Sequence, residues 1–442
     1  MLFIKKEGFV DGYQNLYLLP LSYIIFYNLF LRKIMNNYGI SLFLAVYLTV
    51  SFFRFVVLSL LVVESNWFLG RSNYSPSSDQ FSVAILLMVY ELALYNIGIW
   101  LFHNYFFKKV NLNKNDNNKV KFNNNNLIYL LFIFVTGLLV ILKPEALNYF
   151  SFFSVNSEYT AIDELDGLTS IVTIFLNVSR LLIFFMIIKW IMQNIHPKNP
   201  IFSFSLVIFI TIINSLIFFG TNRSDFIFNF AINLIILVYL YKKLGITVNI
   251  ILISLLPIVV VGMTKYRNSV SITGGANKLV DITDYLQIYL GGVYNVALSL
   301  DLKVQNANIF NLLLDISRSA IGPNVILKNM DIVSSSELFN YRIFFSNHMS
   351  QIIPMIGQSN LYLGTIFSPI LGLAFIFLAV FLTKEIVKVK RMELIYIFTL
   401  FSGRIGFVMA QNGNILLNDL TFFLPLFLLL YYLNNKVVIK NE

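Results

Sequence analysis

Long apolar runs alternate with short polar connectors along most of this chain. Eleven runs stand out: Leu16–Leu31, Ile40–Val63, Phe81–Phe106, Leu127–Leu142, Thr169–Met192, Ile201–Phe219, Phe226–Tyr241, Ile246–Met263, Gly364–Thr383, Leu394–Ala410 and Asp419–Leu433. Each is unbroken rather than alternating, which predicts helices that satisfy their own backbone polar groups in lipid. A transmembrane barrel would show short alternating segments instead. The expected fold is all-α: a polytopic integral membrane protein of eleven transmembrane helices, or twelve if a membrane-embedded piece precedes Leu16. One stretch breaks the rhythm. Between Lys265 and Pro354 lies a long segment with two semi-apolar pieces, Tyr285–Leu300 and Ile309–Leu327, expected to hold short helices. Three regions follow: membrane helices over 1–263, a large loop over 264–355, and membrane helices over 356–442.

The connectors differ in charge. Arg32–Gly39, Lys108–Asn126, Gln193–Pro200, Lys242–Gly245, Lys384–Glu393 and Asn434–Glu442 carry the lysines. Glu64–Gln80, Lys143–Leu168, Gly220–Asp225, the long loop and Gln411–Asn418 are poorer in them. The positive-inside rule then places the N-terminus and the long loop outside and the C-terminus inside. Lys5 and Lys6 run against this orientation. Composition agrees with the class: 57% of residues are hydrophobic, 12% are charged and the mean hydropathy is +0.75. The net charge of +10 is what orientation in a membrane requires, so it does not call for nucleic acid. No cysteine is present, which excludes disulfide and thiolate chemistry. No removable signal peptide is expected at the N-terminus. The tract from Lys108 to Asn126 is rich in Asn and Lys, as solvated linkers are. No phosphate-binding GxxxxGK[ST] loop is present, and no internal repeat of the kind built into secondary transporters.

Arginine and lysine are sorted differently. Most of the 22 lysines fall on the inner side, whereas only Arg32 and Arg391 of ten arginines clearly do. Arg71, Arg223, Arg267, Arg318 and Arg342 fall in outer connectors. Arg54, Arg180 and Arg404 fall within spans. Orientation needs only positive charge, so it does not explain this sorting. A guanidinium is a planar fork suited to phosphate or carboxylate, and a charge inside a membrane must line a cavity or be paired. The set points to an anion-binding cavity open to the outside, with Lys265 beside Arg267. In the competing reading each Arg pairs with an acid such as Glu64, Glu91, Asp225, Asp301 or Asp315 and serves folding alone. "FFGTNRSDF" puts Arg223 in a tight turn, with a helix starting near 222–224 whose free N–H groups also suit an anion. His348 is the one histidine expected outside. His103 and His196 fall inside, so an outer three-histidine metal site is not expected.

The spans, the large loop in the C-terminal third, "GTNRSDF" at an outer turn and "IGQSNLYLGTIFSPIL" leaving the loop resemble the Wzy-type repeat-unit polymerases of bacterial O-antigen and capsule. These are similar in their GT-C-like architecture to O-antigen ligases. The resemblance implies a glycosyltransferase of the bacterial cytoplasmic membrane, with the long loop extracytoplasmic. It would join polyprenyl-pyrophosphate-linked oligosaccharides, with lipid pyrophosphate as leaving group and no cofactor. Arg223 takes the family's pyrophosphate-holding role by its place at the outer turn, and His348 is similar in place to the ligases' loop histidine. Arg267 joins them as a catalytic candidate from topology. Arg54, Arg180, Arg318, Arg342, Arg404 and Lys265 are expected to bind pyrophosphate or sugar. Membrane lipids, a chain-length regulator and a flippase are the expected partners. The alternatives are a lipid-linked oligosaccharide flippase or other transporter, and an O-antigen ligase.

Overall fold

The computed structural model describes residues 4, 10–72, 74–108, 120–122, 125–152, 167–219, 223–242, 244–250, 252, 272–304, 307–327, 334–344 and 351–437, with the side chains of 151, 152, 218, 219, 223–225, 324 and 325 left aside. They are almost entirely helical. Among the described residues, six helices are long and apolar enough to cross a membrane. These are α1 (Leu18–Tyr38), α2 (Leu42–Glu64), α3 (Ser78–Phe107), α5 (Leu168–Ile195), α14 (Ile370–Lys388) and α16 (Gly413–Lys436). Shorter apolar helices are α4 (Leu127–Leu142) and α6 (Pro200–Leu216). Then come α7 (Arg223–Tyr241) and α15 (Met392–Ile405). By helix length and composition the protein is therefore a multi-pass membrane protein whose described residues are almost entirely helical. The predicted span from Ile246 to Met263 lies mostly outside the described residues, of which 244–250 are helical. The segment from Lys265 to Pro354 holds five short helices among its described residues: α8 (Lys278–Leu290), α9 (Val293–Ser299), α10 (Ile309–Ser317), α11 (Pro323–Leu327) and α12 (Ser335–Phe344). The two semi-apolar pieces expected from the sequence are thus helical, and α13 (Met355–Phe367), kinked at Gly364, follows them.

The chain divides into two compact units. The first comprises 1–112, 270–387 and 401–421, and the second 113–269, 388–400 and 422–442. In the first unit the short helices are part of the packed body. All seven residues of α9 are buried, and α9 packs on α3, while α8 packs on α2. α3 starts where Ser77 and Gln80 exchange bonds: Gln80 N donates to Ser77 Oγ (3.3 Å) and Ser77 N to Gln80 Oε1 (2.7 Å), a reciprocal cap that satisfies two orphan donors. α8 ends at Gly291, whose φ of +59° closes the helix in the left-handed conformation that glycine adopts without strain.

A buried polar hub ties the short helices together. Asp315 of α10 is fully buried and accepts from Ser335 N (3.3 Å), Ser335 Oγ (2.5 Å) and Gln358 Nε2 (3.0 Å). Gln358 Nε2 also reaches Asn414 Oδ1 (2.5 Å), and its Oε1 accepts from Gly413 N (2.8 Å). Asn414 Nδ2 donates back to Asp315 O (2.7 Å). One amide side chain thus joins α10, α12, α13 and the start of α16. Burial and Asp315 together push the nearby Tyr362 phenol above its ordinary pKa, burial being the larger cause.

In the second unit, polar groups on apolar helices pair with each other. Asn214 Nδ2 donates to Asn233 Oδ1 (3.2 Å), and Asn233 Nδ2 to Ser215 Oγ (2.7 Å), which links α6 to α7 as side-chain amides link helices in lipid. Phe184, Phe185, Tyr396 and Phe427 form an aromatic core with centroid separations of 5.3, 5.8 and 5.9 Å between neighbours. Two three-residue strands, β1 (Phe150–Phe152) and β2 (Ile217–Phe219), pair antiparallel. The sequence pattern does not announce them, because β2 continues the apolar run of α6.

The hub gives a stability test. Gln358→Leu keeps the volume but leaves Gly413 N without its acceptor and takes a donor from Asp315. It should cost about 3 kcal/mol and lower the thermal midpoint of the purified protein. An unchanged midpoint would refute the hub's structural role.

Candidate functional site

A loop between α2 and α3, described at 65–72 and 74–77, carries Arg71 over the short helices of the first unit. Arg71 Nε donates to Asp284 Oδ2 of α8 at 3.0 Å, and Arg71 Nη2 bonds the same oxygen. Ser72 N donates to the Tyr294 hydroxyl of α9 (2.7 Å). Tyr74 O accepts from Ser72 Oγ (2.7 Å) and from Arg342 Nη1 of α12 (3.1 Å). Arg342 Nη2 bonds Asp301 Oδ2 at 2.7 Å, and Gln80 Nε2, from the cap of α3, bonds the other Asp301 oxygen. A continuous belt results, running Asp284–Arg71–Ser72–Tyr294 and Tyr74–Arg342–Asp301–Gln80. Gly70 is required beneath it, because a Cβ there would fall inside the Tyr294 ring.

The belt is preorganised and partly open. The side chains of Arg71, Arg342 and Asp301 are 17%, 21% and 19% exposed, whereas that of Asp284 is 3% exposed. Each guanidinium is oriented by a carboxylate, and its side chain is partly exposed. Burial pushes the Asp284 carboxyl above its ordinary pKa, with Arg71 and the Trp67 side chain opposing. Burial likewise raises the Tyr294 phenol, so Tyr294 presents a neutral hydroxyl.

A second charge pair lies in the core of the same unit. A π-helical turn, Phe53–Val57, interrupts α2 and carries Arg54; such turns recur at functional sites. Arg54 Nη1 bonds Glu91 Oε2 of α3 at 2.7 Å, with both side chains at 0% exposure. Arg54 Nε donates to the carbonyl of Gly291 (3.0 Å), so the glycine that closes α8 also faces this arginine. The guanidinium carbon sits 5.5 Å from the Phe55 ring centroid. Among the described residues, Arg54 Nη2 and Glu91 Oε1 have no hydrogen-bond partner.

The other predicted residues fall in several places. Arg318, at the C-cap of α10, faces Glu337 at 3.9 Å. Arg404, in the last turn of α15, pairs with Asp419 at 2.8 Å. Arg180 belongs to the second unit, where its Nη1 donates to the carbonyls of Asn214 (3.3 Å) and Ile217. These lie at the C-terminal end of α6, where a helix leaves carbonyls unsatisfied and favours positive charge. Arg180 thus caps α6, and it borders a cavity of about 440 Å³ lined mainly by Leu, Ile and Phe. α7 begins at Arg223, as the turn motif predicts, but the Arg223 side chain lies outside the described set. Lys265, Arg267 and His348 also lie outside the described residues. The flanks of the His348 segment are clamped, with Asn340 Nδ2 donating to Gln351 O and Gln351 N to Asn340 Oδ1, both at 2.8 Å.

Four described arginines expected to bind substrate, Arg54, Arg318, Arg342 and Arg404, therefore each face a carboxylate. Glu91 and Asp301 are among the acids the sequence suggests, and Asp315 serves the hub. Asp284, Glu337 and Asp419 were not legible as partners, nor was Tyr294. Asp284, Tyr294 and Glu337 sit in short helices of the long loop and Asp419 in the first turns of α16, and nothing in the local sequence marks them as partners.

The core pair predicts a non-additive result. Glu91→Leu alone leaves a buried, unmatched guanidinium and should destabilise by about 3–5 kcal/mol. The double variant Arg54→Met/Glu91→Leu should recover most of that loss, as read by the thermal midpoint and by monodisperse yield. Additive losses would show that the two charges do not compensate each other. No protein-family profile matches this chain, and no curated protein or solved structure shows significant similarity to it.

Proposed function

We propose that this protein is a membrane glycosyltransferase that polymerises polyprenyl-pyrophosphate-linked oligosaccharide repeat units at the outer face of the bacterial cytoplasmic membrane. The observation that carries the reading is the belt: two arginines, Arg71 and Arg342, held by carboxylates and partly exposed on a body built from apolar helices and short loop helices. An amphiphilic donor with a membrane-borne tail and a charged head needs that combination.

In the proposed reaction the acceptor hydroxyl oxygen forms a bond to the anomeric carbon of the donor chain. The bond from that carbon to the lipid pyrophosphate breaks, and the pyrophosphate keeps the electron pair. Its growing charge is met by guanidinium N–H groups already oriented by Asp284 and Asp301, so little reorganisation is needed. The acceptor proton passes to a general base. Asp301, 19% exposed, and His348 are the candidates. Arg223, Arg267 and Lys265 remain candidates for holding the head group, and the neutral Tyr294 hydroxyl for a sugar contact.

The test is incubation of the purified protein with its lipid-linked repeat unit, without ATP, and separation of products on a gel. A ladder of increasing chain length is expected. Arg342→Ala should reduce it about 10²-fold, and Arg342→Lys, which keeps the charge but loses the fork, should restore it only in part. Arg223→Ala and Arg267→Ala should also lose long chains while still inserting. Movement of intact repeat units across the bilayer without elongation would establish the flippase reading instead.

A further inference from the structure

The helix α10 has apolar residues on two sides. Leu312 and Ile316, with Asp315 between them in the hub, face inward and are buried. Ile309, Phe310 and Leu313 face outward and are 59%, 65% and 51% exposed, and Ile326 of α11 is 69% exposed. A helix packed on a protein and facing water places polar residues on its outer side. This outer face is apolar instead.

Its neighbours fix its level. Asn414, in the first turn of α16, bonds Asp315 O (2.7 Å) and Ser319 Oγ (3.1 Å). Ile321 N donates to Thr421 Oγ1 (3.1 Å), two turns further along the same helix. The stretch 315–321 therefore runs beside the first ~10 Å of α16, taking 1.5 Å per residue. α16 is long and apolar enough to cross a membrane, and its 24 residues match the ~30 Å hydrocarbon thickness with little to spare. Its first turns thus belong at the edge of the hydrocarbon layer. The nine residues of α10 are too few to span it. The ion pair of Arg404 with Asp419 stands at the same level of α16, and charges cost less at such an edge than deep in the hydrocarbon.

We propose that α10 and α11 lie in the membrane interface, with Ile309, Phe310, Leu313 and Ile326 inserted into the boundary between head groups and acyl chains. The partner of this surface is the bilayer itself. An in-plane amphipathic helix binds in this way, its apolar side sunk into the boundary layer. Here the opposite side is fastened to the protein by Asp315, so the hub couples the body to the lipid surface. The inference rests on the membrane reading and not on the glycosyl-transfer chemistry, so the ladder assay and the test below fail independently.

The absence of native cysteine makes the test direct. Single-cysteine variants Phe310→Cys and Leu313→Cys are spin-labelled and reconstituted into phosphatidylcholine bilayers containing some phosphatidylglycerol. Accessibility to oxygen is compared with accessibility to a water-soluble nickel complex. Lys303→Cys serves as the aqueous reference and the exposed span position Leu86→Cys as the lipid reference. Ile309→Cys provides a second reading of the same face if one variant fails to fold. The expected result is an oxygen-to-nickel ratio at 310 and 313 severalfold above that at 303, approaching that at 86. A ratio equal to that at 303 would overturn the proposal. So would exclusion of both reagents, which would mean that another protein surface, a second copy included, covers the helix.

Discussion

The Arg54–Glu91 ion pair is the constraint on which the first unit depends. Both side chains are fully buried on helices long and apolar enough to cross a membrane. Neither charge is tolerable there alone. Their contact fixes the register of α2 against α3. The bond from Arg54 to Gly291 O then fixes where α8 ends and α9 begins. From that corner α9 lies against α3 and carries Tyr294 to the loop that holds Arg71. The core pair therefore positions the belt without touching it.

The two kinds of pair differ in exposure, and the proposed function rests on that difference. The side chain of Arg54 is fully buried. The side chains of Arg71 and Arg342 are partly exposed, and their carboxylates are the deeper or equally shielded members. A carboxylate behind a guanidinium lowers its net attraction for an anion. It also removes the cost of ordering the long side chain at the moment of binding. A site that must grip a pyrophosphate more tightly as its bond breaks benefits more from orientation than from bare charge.

Much of the helical fold was legible, because runs of apolar residues declare their own length. The start of α7 at Arg223 and the end of α4 at Leu142 follow from local sequence. The site was legible only in half. Arginines stand out in an apolar chain, but their partners do not. Asp284 is 213 residues from Arg71 and Asp301 is 41 from Arg342; only the packing of α8, α9 and α12 brings them together. The capping contact of Arg180 was not legible in sequence, because α6 and its continuing apolar run hide the helix end at Leu216. The amphipathic character of α10 is visible from its residues, but not which of its two apolar sides is spoken for.

The central claim is that the belt receives the charged head of a lipid-linked donor. The most direct measurement is a density map of the protein in a bilayer with a non-hydrolysable polyprenyl pyrophosphonate analogue. The bridged phosphorus groups should lie within hydrogen-bond distance of Arg71 or Arg342, with Asp284 and Asp301 still behind them. Density for the head group elsewhere, such as beside Arg180 in the second unit, with the belt unchanged and empty, would contradict it.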